Sequence, residues 1–510
     1  MTSFPLLSLA IFLPWIGAAL LALVRVAPNT ARNVSLGFSL TSLLITGALL
    51  SAFEPSATGL QFVERHAWIP SLSVSYHLGL DGLSLLLVLL TAVISPMALF
   101  ASRREARDTR AFHILFLLLQ GAALGVFLAL DFFHWFIFWE LSLIPAFFLI
   151  KLWGGGSGAR GNAATTRAAY QFVLYTIGGS AFMLAGFAAL FATIGTLDFT
   201  ELAALRADGT LVAQLGETWN WVIFGGVLLG LAVKVPLFPF HTWLPPTYAE
   251  APTGVSMFLT AVLSKMGLYG FLRILWPLFP AELHAVATPL LWLALGGVVL
   301  GAFAALRQTD LKRMISYSSV NHLSYCLLAL FAVASAAQPS PAAAASALSG
   351  TLLQMFNHGL SAAALFFCIG ILETRSGGLR GLNDFGGVRT AMPVFAGLCG
   401  IAMFSSLGLP GLNGFIGEFL IFRGVWGFAP WAAAIATLGL FATALFLLTF
   451  WQRVFHGPAR GSVATFGDLS KQEIAILLPA IALMFVLGLY PQLVIRLFNP
   501  LITQWAASLP

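Results

Sequence analysis

Charged residues are scarce in this chain of 510 residues. Asp, Glu, Lys and Arg together make up 9% of it, whereas 59% of its residues are hydrophobic. Soluble domains carry roughly 25% charged residues, so the chain lacks the polar surface that a water-exposed globule needs. With a mean hydropathy of +0.92, it is predicted to be an all-α polytopic membrane protein, because its apolar segments are far longer than the strands of a membrane barrel.

Cysteine is equally scarce. The three cysteines, Cys326, Cys368 and Cys399, lie in apolar segments, and three thiolates cannot complete an iron–sulfur cluster that needs four. The chain has no C-x-x-C or H-E-x-x-H pattern and no Walker motif, so we expect neither a cofactor nor a metal in it. The first apolar run has no basic segment before it and no small-residue cleavage site after it, which favours a retained span over a signal peptide.

Fourteen apolar runs of about 20 residues, the length that crosses a bilayer as a helix, divide the chain. They lie near residues 4–24, 34–53, 79–100, 112–130, 132–150, 168–195, 219–240, 253–272, 285–306, 314–335, 348–372, 391–422, 431–452 and 472–491. The seventh and twelfth runs are interrupted near their middles. We therefore predict about fourteen transmembrane helices, two of them broken.

Basic residues are distributed unevenly between the two sides that this count defines. If both termini lie on one side, the connections on the opposite side hold 18 basic residues and those on the side of the termini hold five. The larger set is Arg25, Arg32, Arg103, Arg104, Arg107, Arg110, Lys151, Arg160, Arg167, Arg307, Lys312, Arg313, Arg375, Arg380, Arg389, Arg453, Arg460 and Lys471. The positive-inside rule then predicts both termini outside the cytoplasm, and this topology accounts for the net charge of +6 without a nucleic-acid partner.

The two interrupted runs predict an internal repeat. Pro236 is expected to leave the carbonyl of Ala232 without its helical partner, and Pro410 interrupts the twelfth run in the same way. Broken helices at corresponding positions of two halves are typical of inverted-repeat transporters. The predicted parts are spans 1–3 at residues 1–111, a first inverted five-helix repeat (spans 4–8) at 112–272, a second (spans 9–13) at 285–453, and span 14 at 472–510.

Two lysines, Lys234 and Lys265, lie inside the apolar runs of one helical hairpin. An ammonium at the centre of a bilayer helix costs about 2.5–3.5 kcal/mol, and such residues mark routes for ions or protons. Glu140, inside the fifth span, is the partner that we expect for Lys234, with a packing ion pair as the alternative. For Lys265 the alternative is a side chain that extends to the polar boundary near Arg273.

Three more titratable residues lie inside later spans. Histidine titrates near neutrality, which suits His322 and His358 to a proton relay, although a hydrogen-bonded packing role is the alternative for each. Glu418 lies about two turns beyond the second break, where an interfacial position is the alternative. Charged residues at span ends are expected to be solvated or to cap helices: Asp81, Asp131, His134, Glu250, Glu373 and Asp384.

Six stretches of the sequence resemble one family. They are WELSLIP at 139–145, VPLFPFHTWLPPTYAEAPTGVS at 235–256, LSKMGLYGFLR at 263–273, SYSSVNHLSY at 316–325, FNHGLS at 356–361 and GLPGLNGFIGEF at 408–419. They look like the antiporter-like membrane subunits of respiratory complex I, the NADH:quinone oxidoreductase, and the resemblance runs from about Leu6 to Tyr490. Glu418, where the L- and N-type chains have lysine, makes the M-type chain (mitochondrial chain 4 type) the most similar, as does the lack of the lateral helix of the L-type chain.

The resemblance implies a fourteen-helix proton-pumping subunit driven by electron transfer in other subunits. The residues that it implies for proton transfer are Glu140, Lys234, Lys265, His322, His358 and Glu418. NADH, FMN, iron–sulfur clusters and quinone would belong to partner subunits, and L- and N-type chains would be its neighbours in a bacterial inner membrane. A subunit of a multisubunit Na⁺/H⁺ antiporter is the alternative on the same scaffold, and a purely structural subunit is a third interpretation.

Overall fold

The computed structural model describes residues 4–104, 107–155, 162–338 and 340–507. Thirteen helical segments in these ranges are long and apolar enough to cross a membrane, which confirms the predicted helical membrane class. The predicted twelfth span consists of two shorter helices, separated at residues 407–412. Arg160, one of the basic residues counted above, lies outside the described residues.

The helices follow the apolar runs in chain order. The first group is α1 (Leu6–Leu23), α2 (Pro28–Ala52), α3 (Gly82–Ala101), α4 (Thr109–Leu128), α5 (Phe132–Trp153), α6 (Ala163–Ile194), α7 (Phe199–Ala207) and α8 (Thr210–Lys234). The middle group is α9 (Leu244–Glu250), α10 (Thr253–Phe258), α11 (Ser264–Gly270), α12 (Trp276–Leu278), α13 (Pro280–Leu306), α14 (Leu311–Ala334) and α15 (Pro341–Arg375). The last group is α16 (Val388–Ala391), α17 (Pro393–Ser406), α18 (Asn413–Phe428), α19 (Pro430–Phe450), α20 (Lys471–Leu489) and α21 (Gln492–Ala507).

A β-hairpin, which the sequence did not predict, joins α2 to α3. Its strands β1 (Gln61–Ile69) and β2 (Val74–Leu80) pair antiparallel. The carboxylate of Glu64 in β1 accepts the backbone N–H of Leu7 at 2.8 Å and the N–H and hydroxyl of Ser8. Because the first N–H groups of a helix have no partner within it, Glu64 caps α1 from a distant part of the chain.

The hairpin is fastened to the connection between α6 and α7 by charged side chains. His77 of β2 lies 2.6 Å from a carboxylate oxygen of Asp198, which is 3.4 Å from Arg65 of β1. Burial alone would raise the pKa of the Asp198 carboxyl, but hydrogen bonds with His77 and Thr200 outweigh it and lower the pKa to about 2. Asp198 therefore stays ionised and holds two strands and α7 together.

Aspartates begin several helices. Asp81 accepts the N–H of Ser84 at 3.0 Å at the start of α3, and Asp131 accepts that of Phe133 at 3.0 Å at the start of α5. Each carboxylate satisfies a donor that a helix leaves free at its first turn. The expected capping role of these two residues is confirmed.

Contacts between connections group them into two faces. The hairpin face carries β1, β2, α7 and the ion pairs Arg206–Glu282 (3.1 Å) and Arg273–Asp81 (2.6 Å). The opposite face, called the basic face here, carries the connections at 24–27, 102–104, 307–310, 376–387 and 456–470. On it, Arg380 joins Glu250 at 2.8 Å, and Gly155 donates its N–H to the carbonyl of Glu250 at 2.9 Å. Successive connections therefore lie on alternate faces, as expected for helices that cross a membrane in turn.

Helix α21 lies beyond the last predicted span. Its buried residues Val494, Leu497, Phe498, Leu501 and Ile502 recur at helical spacing, which gives it one apolar face. That face packs against α3 and α15. A Cβ at Gly82 would lie 2.3 Å from the carbonyl oxygen of Leu497, so glycine is required where α21 crosses α3.

Candidate functional site

Lys234 ends α8, directly before the first break. Its side chain is 1% exposed, and its ammonium lies over the rings of Trp139 at 5.0 Å and Phe172 at 5.8 Å. Such cation–π contacts are worth about 2 kcal/mol or more when desolvated. The aromatic residues of the fifth and sixth spans therefore form the immediate surroundings of this charge.

Glu140 and Lys234 do not bond to each other directly. Within the described part of the chain, neither the ammonium of Lys234 nor Oε1 of Glu140 has a hydrogen-bond partner. The two charges attract each other at longer range. The expected approach of these residues is therefore a longer-range electrostatic interaction and not a contact ion pair.

The backbone at the first break satisfies part of its own polar groups. Leu237 donates its N–H to the carbonyl of Ala232 at 2.9 Å, and the indole of Trp243 donates to the carbonyl of Val233 at 2.9 Å. Pro236 thus removes the helical donor of the Ala232 carbonyl, as expected, but the chain turns back and Leu237 supplies another donor.

Lys265 lies at the centre of the bundle and is 0% exposed. Its ammonium contacts Nδ1 of His358 at 2.8 Å, the carbonyl of Thr260 at 2.8 Å and the hydroxyl of Ser264 at 3.2 Å. The π-helical turn Leu259–Leu263 precedes it, and such wide turns occur frequently at functional sites. A side chain that extends to the polar boundary is thereby excluded; Arg273 pairs with Asp81 instead.

A continuous set of side chains leads from Lys265 to the second break. The rings of His358 on α15 and His322 on α14 lie 5.2 Å apart, centre to centre. Nδ1 of His322 is 3.1 Å from Oε1 of Glu418 on α18. With His322 2%, His358 4% and Glu418 6% exposed, this set is enclosed by protein.

The turn between α17 and α18 positions Glu418. Gly408 has φ +81° and Gly411 has φ +93°, a region that only glycine adopts without strain. A Cβ at Gly408 would lie 2.8 Å from Oε2 of Glu418. The amide of Asn357 on α15 donates to the carbonyl of Asn413 at 2.7 Å and holds the first turn of α18 in place.

Two polar residues of the site were not singled out in the sequence. The amide of Gln354, one turn before His358 on α15, is 3.2 Å from Nδ1 of His322 and 3.3 Å from Oε1 of Glu418. Ser406 at the end of α17 lies 3.3 Å from Nε2 of His322. The spacing of four residues to His358 is the signal that could have identified Gln354.

Some span-end residues expected to be solvated or capping are buried within the protein. Glu373 is 5% exposed and pairs with Lys312 at 2.7 Å. His134 is 4% exposed and packs against Tyr76, ring centres 4.7 Å apart. The solvated interpretation is wrong for both, because neighbouring elements cover these span ends.

No group of three or more His, Cys, Asp or Glu side chains in the described ranges is placed to hold a metal ion. The cysteines in these ranges are free thiols.

Comparisons with known proteins agree on one family. The family model described as NADH:quinone oxidoreductase/Mrp antiporter, TM, matches residues 129–445. The chain is 36% identical to NADH-quinone oxidoreductase subunit M of Rhodobacter capsulatus, with 97% of this chain and 95% of the relative covered.

Solved structures give the same result at the level of the fold. A chain of respiratory complex I from Thermus thermophilus with bound NADH superposes with a TM-score of 0.84 at 30% identity, covering 99% of this chain and 100% of that one. A chain of the Mrp complex from Dietzia sp. shares the fold, with a TM-score of 0.81 at 20% identity, covering 100% of this chain and 98% of that one. The chain thus belongs to the NADH:quinone oxidoreductase/Mrp antiporter family of membrane subunits, in its subunit M branch.

Proposed function

We propose that this chain is a proton-translocating subunit of the membrane arm of NADH:quinone oxidoreductase, without a redox centre of its own. The observation that carries the proposal is the enclosed series Lys265–His358–His322–Glu418, whose neighbours lie at hydrogen-bond or ring-contact distance. Four titratable groups inside one lipid-depth bundle are costly to bury, and such residues mark routes for ions or protons.

Lys265 is the central group of this path. Its ammonium touches His358, so a change of charge on either residue changes the proton affinity of the other. His322 then connects His358 to Glu418, and the amide of Gln354 donates to the carboxylate from the side. Protons pass between these groups because each can both accept and release one.

Glu140 and Lys234 form the first half of the path. They lie on α5 and on the end of α8, beside the first break, and attract each other at longer range. Gly267, two residues after Lys265, packs against Val235, one residue after Lys234, where an added Cβ would lie 2.5 Å from a methyl group. The two lysine-bearing segments are therefore in close packing, and protons entering near Glu140 and Lys234 would continue through Lys265 to Glu418.

The redox chemistry is assigned to partner subunits. NADH, FMN, iron–sulfur clusters and quinone would be bound there, and L- and N-type chains would flank this one in the membrane. The basic face would face the cytoplasm of a bacterium, with both termini on the periplasmic side of the inner membrane.

The test is Lys234→Ala in the assembled enzyme, measured as protons moved per electron during NADH oxidation. We expect the proton-to-electron ratio to fall. The matched control is Lys151→Ala, which removes a lysine that also lies over aromatic rings, 4.8 Å from Tyr170, but at the surface. An unchanged proton-to-electron ratio in Lys234→Ala would refute the proposal.

A cation/proton antiporter subunit is the second candidate, since the Mrp complex shares the fold. That likeness, at 20% identity, concerns the fold alone, whereas the identity to subunit M relatives reaches 36%. Purification in mild detergent distinguishes the two: flavin and iron–sulfur subunits support the oxidoreductase, and small antiporter chains support the alternative.

A further inference from the structure

The buried ion pair Lys312–Glu373 has no place in the path described so far. Lys312 begins α14, the helix of His322, and Glu373 lies near the end of α15, the helix of His358. The two are 1% and 5% exposed, and their charges lie 2.7 Å apart. An ion pair so deeply buried is often no more stable than an apolar pair of the same size, so stability alone does not account for it.

Buried hydroxyl groups lead from this pair towards Lys265. Ser316 lies one turn above Lys312 and donates to its carbonyl at 2.7 Å, and Ser319 lies one turn further on. The hydroxyl of Ser319 is 3.0 Å from the hydroxyl of Thr260. The backbone carbonyl of Thr260 accepts a hydrogen bond from the Lys265 ammonium at 2.8 Å. The three hydroxyl residues are 0% exposed.

Partly exposed charges lie outside the pair on the basic face. Arg380 contacts Glu250 at 2.8 Å and Asp310 at 2.9 Å, and the side chains of these carboxylates are 14% and 23% exposed. Lys312 also lies 3.4 Å from the carbonyl of Ala251. Polar groups therefore lie at intervals between the water-facing surface and the centre of the bundle.

We propose that Glu373 is a second proton-loading group, which supplies Lys265 from the basic face along Ser316, Ser319 and Thr260 without passing Lys234. The proposal rests on the proposed function, because it needs Lys265 to accept protons. The Lys312 ammonium lies beside the Glu373 carboxylate that receives the proton.

The transfer balances without any other reactant. A proton from water on the basic face binds the Glu373 carboxylate, and the O–H bond so formed then breaks to pass it on. Each hydroxyl accepts one proton and releases its own, and the neutral amine of Lys265 becomes an ammonium. Hydroxyls one turn apart are separated by about 5–6 Å at Cβ, so the proposal requires a water molecule to bridge each such gap.

The first test replaces the pair by apolar side chains of similar size, Lys312→Met/Glu373→Leu, in the complete enzyme in proteoliposomes. Such replacements are often neutral for folding, so we expect assembly and NADH oxidation with a lower proton-to-electron ratio. The matched control is Arg206→Met/Glu282→Leu, a buried ion pair of 3.1 Å on the hairpin face, which should keep the wild-type ratio. Equal ratios in both double variants would overturn the proposal.

The second test separates a relay from a packing role at Thr260. Thr260→Val keeps the shape and removes the hydroxyl, whereas Thr260→Ser keeps the hydroxyl and removes a methyl group. A relay predicts a lower proton-to-electron ratio in the valine variant and the wild-type ratio in the serine variant; a packing role predicts the reverse. Ser324→Ala, on the same helix as Ser319 but facing Gly297 of α13, is the control and should match the wild type.

The two proposals fail in different ways. If Lys234→Ala lowers the proton-to-electron ratio while Thr260→Val and the Lys312/Glu373 double variant match the wild type, the second loading route is refuted and the proposed function stands. If Lys234→Ala leaves the ratio unchanged, the proposed function itself is refuted.

Discussion

Gly408 and Gly411 lie in the same turn, and both have positive φ angles, yet only Gly408 touches a proposed proton carrier. An added Cβ at Gly408 would meet the carboxylate of Glu418, while one at Gly411 would meet nothing within 4 Å. Alanine substitutions at the two positions therefore distinguish the effect of backbone strain, which both would cause, from displacement of the Glu418 carboxylate, which only the Gly408 substitution would cause.

We expect Gly408→Ala and Gly411→Ala to destabilise the turn equally, by about 1–2 kcal/mol each. Only Gly408→Ala should also lower the proton-to-electron ratio, because its methyl group pushes Glu418 away from His322. Thermal denaturation of the purified enzyme measures the first effect, and proton uptake during NADH oxidation measures the second. Loss of translocation in both variants would assign the effect to the turn and contradict a specific contact.

The sequence reveals buried charges at the residue scale because lysine, glutamate and histidine are conspicuous inside apolar runs. It identified Lys265 and Glu418, but it did not predict that Lys265 contacts His358, since those residues are far apart in the chain. It also predicted that Glu373, near a span end, is solvated or caps a helix, whereas Glu373 pairs with Lys312 of α14 in the structure. Pairings of this kind depend on helix packing and not on local sequence.

The π-helical turn Leu259–Leu263 sets the orientation of Lys265. A π turn holds one residue more than an α turn, so each residue beyond it is rotated by about 100° relative to a regular helix. Thr260 lies within this turn, and its carbonyl accepts the Lys265 ammonium. The position of the ammonium therefore depends on one extra residue.

Deletion of Ala261 should convert this turn to a regular helix and rotate Lys265 away from His358. We expect an assembled enzyme with impaired translocation. The control is deletion of Ile274, in the second π turn at Phe271–Leu275. Because Ile274 follows Lys265 in the chain, its deletion should leave the orientation of the Lys265 side chain unchanged. Equal translocation in the two deletion variants, measured as protons per electron, would contradict this role for the first π turn.

The docked hairpin depends on an ionised Asp198. Its pKa of about 2 lies below the value near 4 of an unfolded chain, so its stabilisation is present above about pH 4 and is lost as the pH falls towards 2. We expect Asp198→Asn to speed hydrogen exchange of the hairpin amides at pH 7, with the difference from the wild type shrinking below pH 4. Glu54→Gln, at an exposed residue before the hairpin, is the control, and equal exchange in both variants would refute the role of Asp198.

The breaks in the two interrupted spans were predicted from the sequence, whereas the β-hairpin and helix α21 were missed. Proline and glycine mark the breaks at 236–239 and 407–412, because both residues interrupt helical hydrogen bonding. The hairpin was missed because its strands lie within a long connection and the one buried residue of β1 is the charged Glu64. Helix α21 was missed because it is shorter than a span and contains Pro500.

The two faces of the whole molecule differ in charge, which predicts its orientation. We expect Ala459→Cys, exposed on the basic face, to react with a membrane-impermeant maleimide only in inverted vesicles. Ala57→Cys, exposed beside the hairpin, should react only in intact cells whose outer membrane is permeabilised. The opposite pattern would contradict the orientation while leaving the fold intact.

At this scale the helical class and the family were predictable, and the proposed repeats remain a prediction. The apolar runs and six motifs extend over most of the chain, so local composition was enough. Neighbouring subunits leave no comparable local pattern, because the exposed apolar residues of a span, such as Leu174 and Phe441, fit lipid and protein equally well.

The carboxylate that caps α1 has a consequence for how the protein is made. Glu64 follows the whole of α2 in the chain, so the ribosome synthesises it only after the second span has been translated. Until then, the amino end of the first helix lacks its acceptor. We therefore expect α1 and α2 to enter the membrane before α1 is capped. Once the hairpin has been synthesised, Glu64 can bind the first N–H groups of α1 and fix its final position.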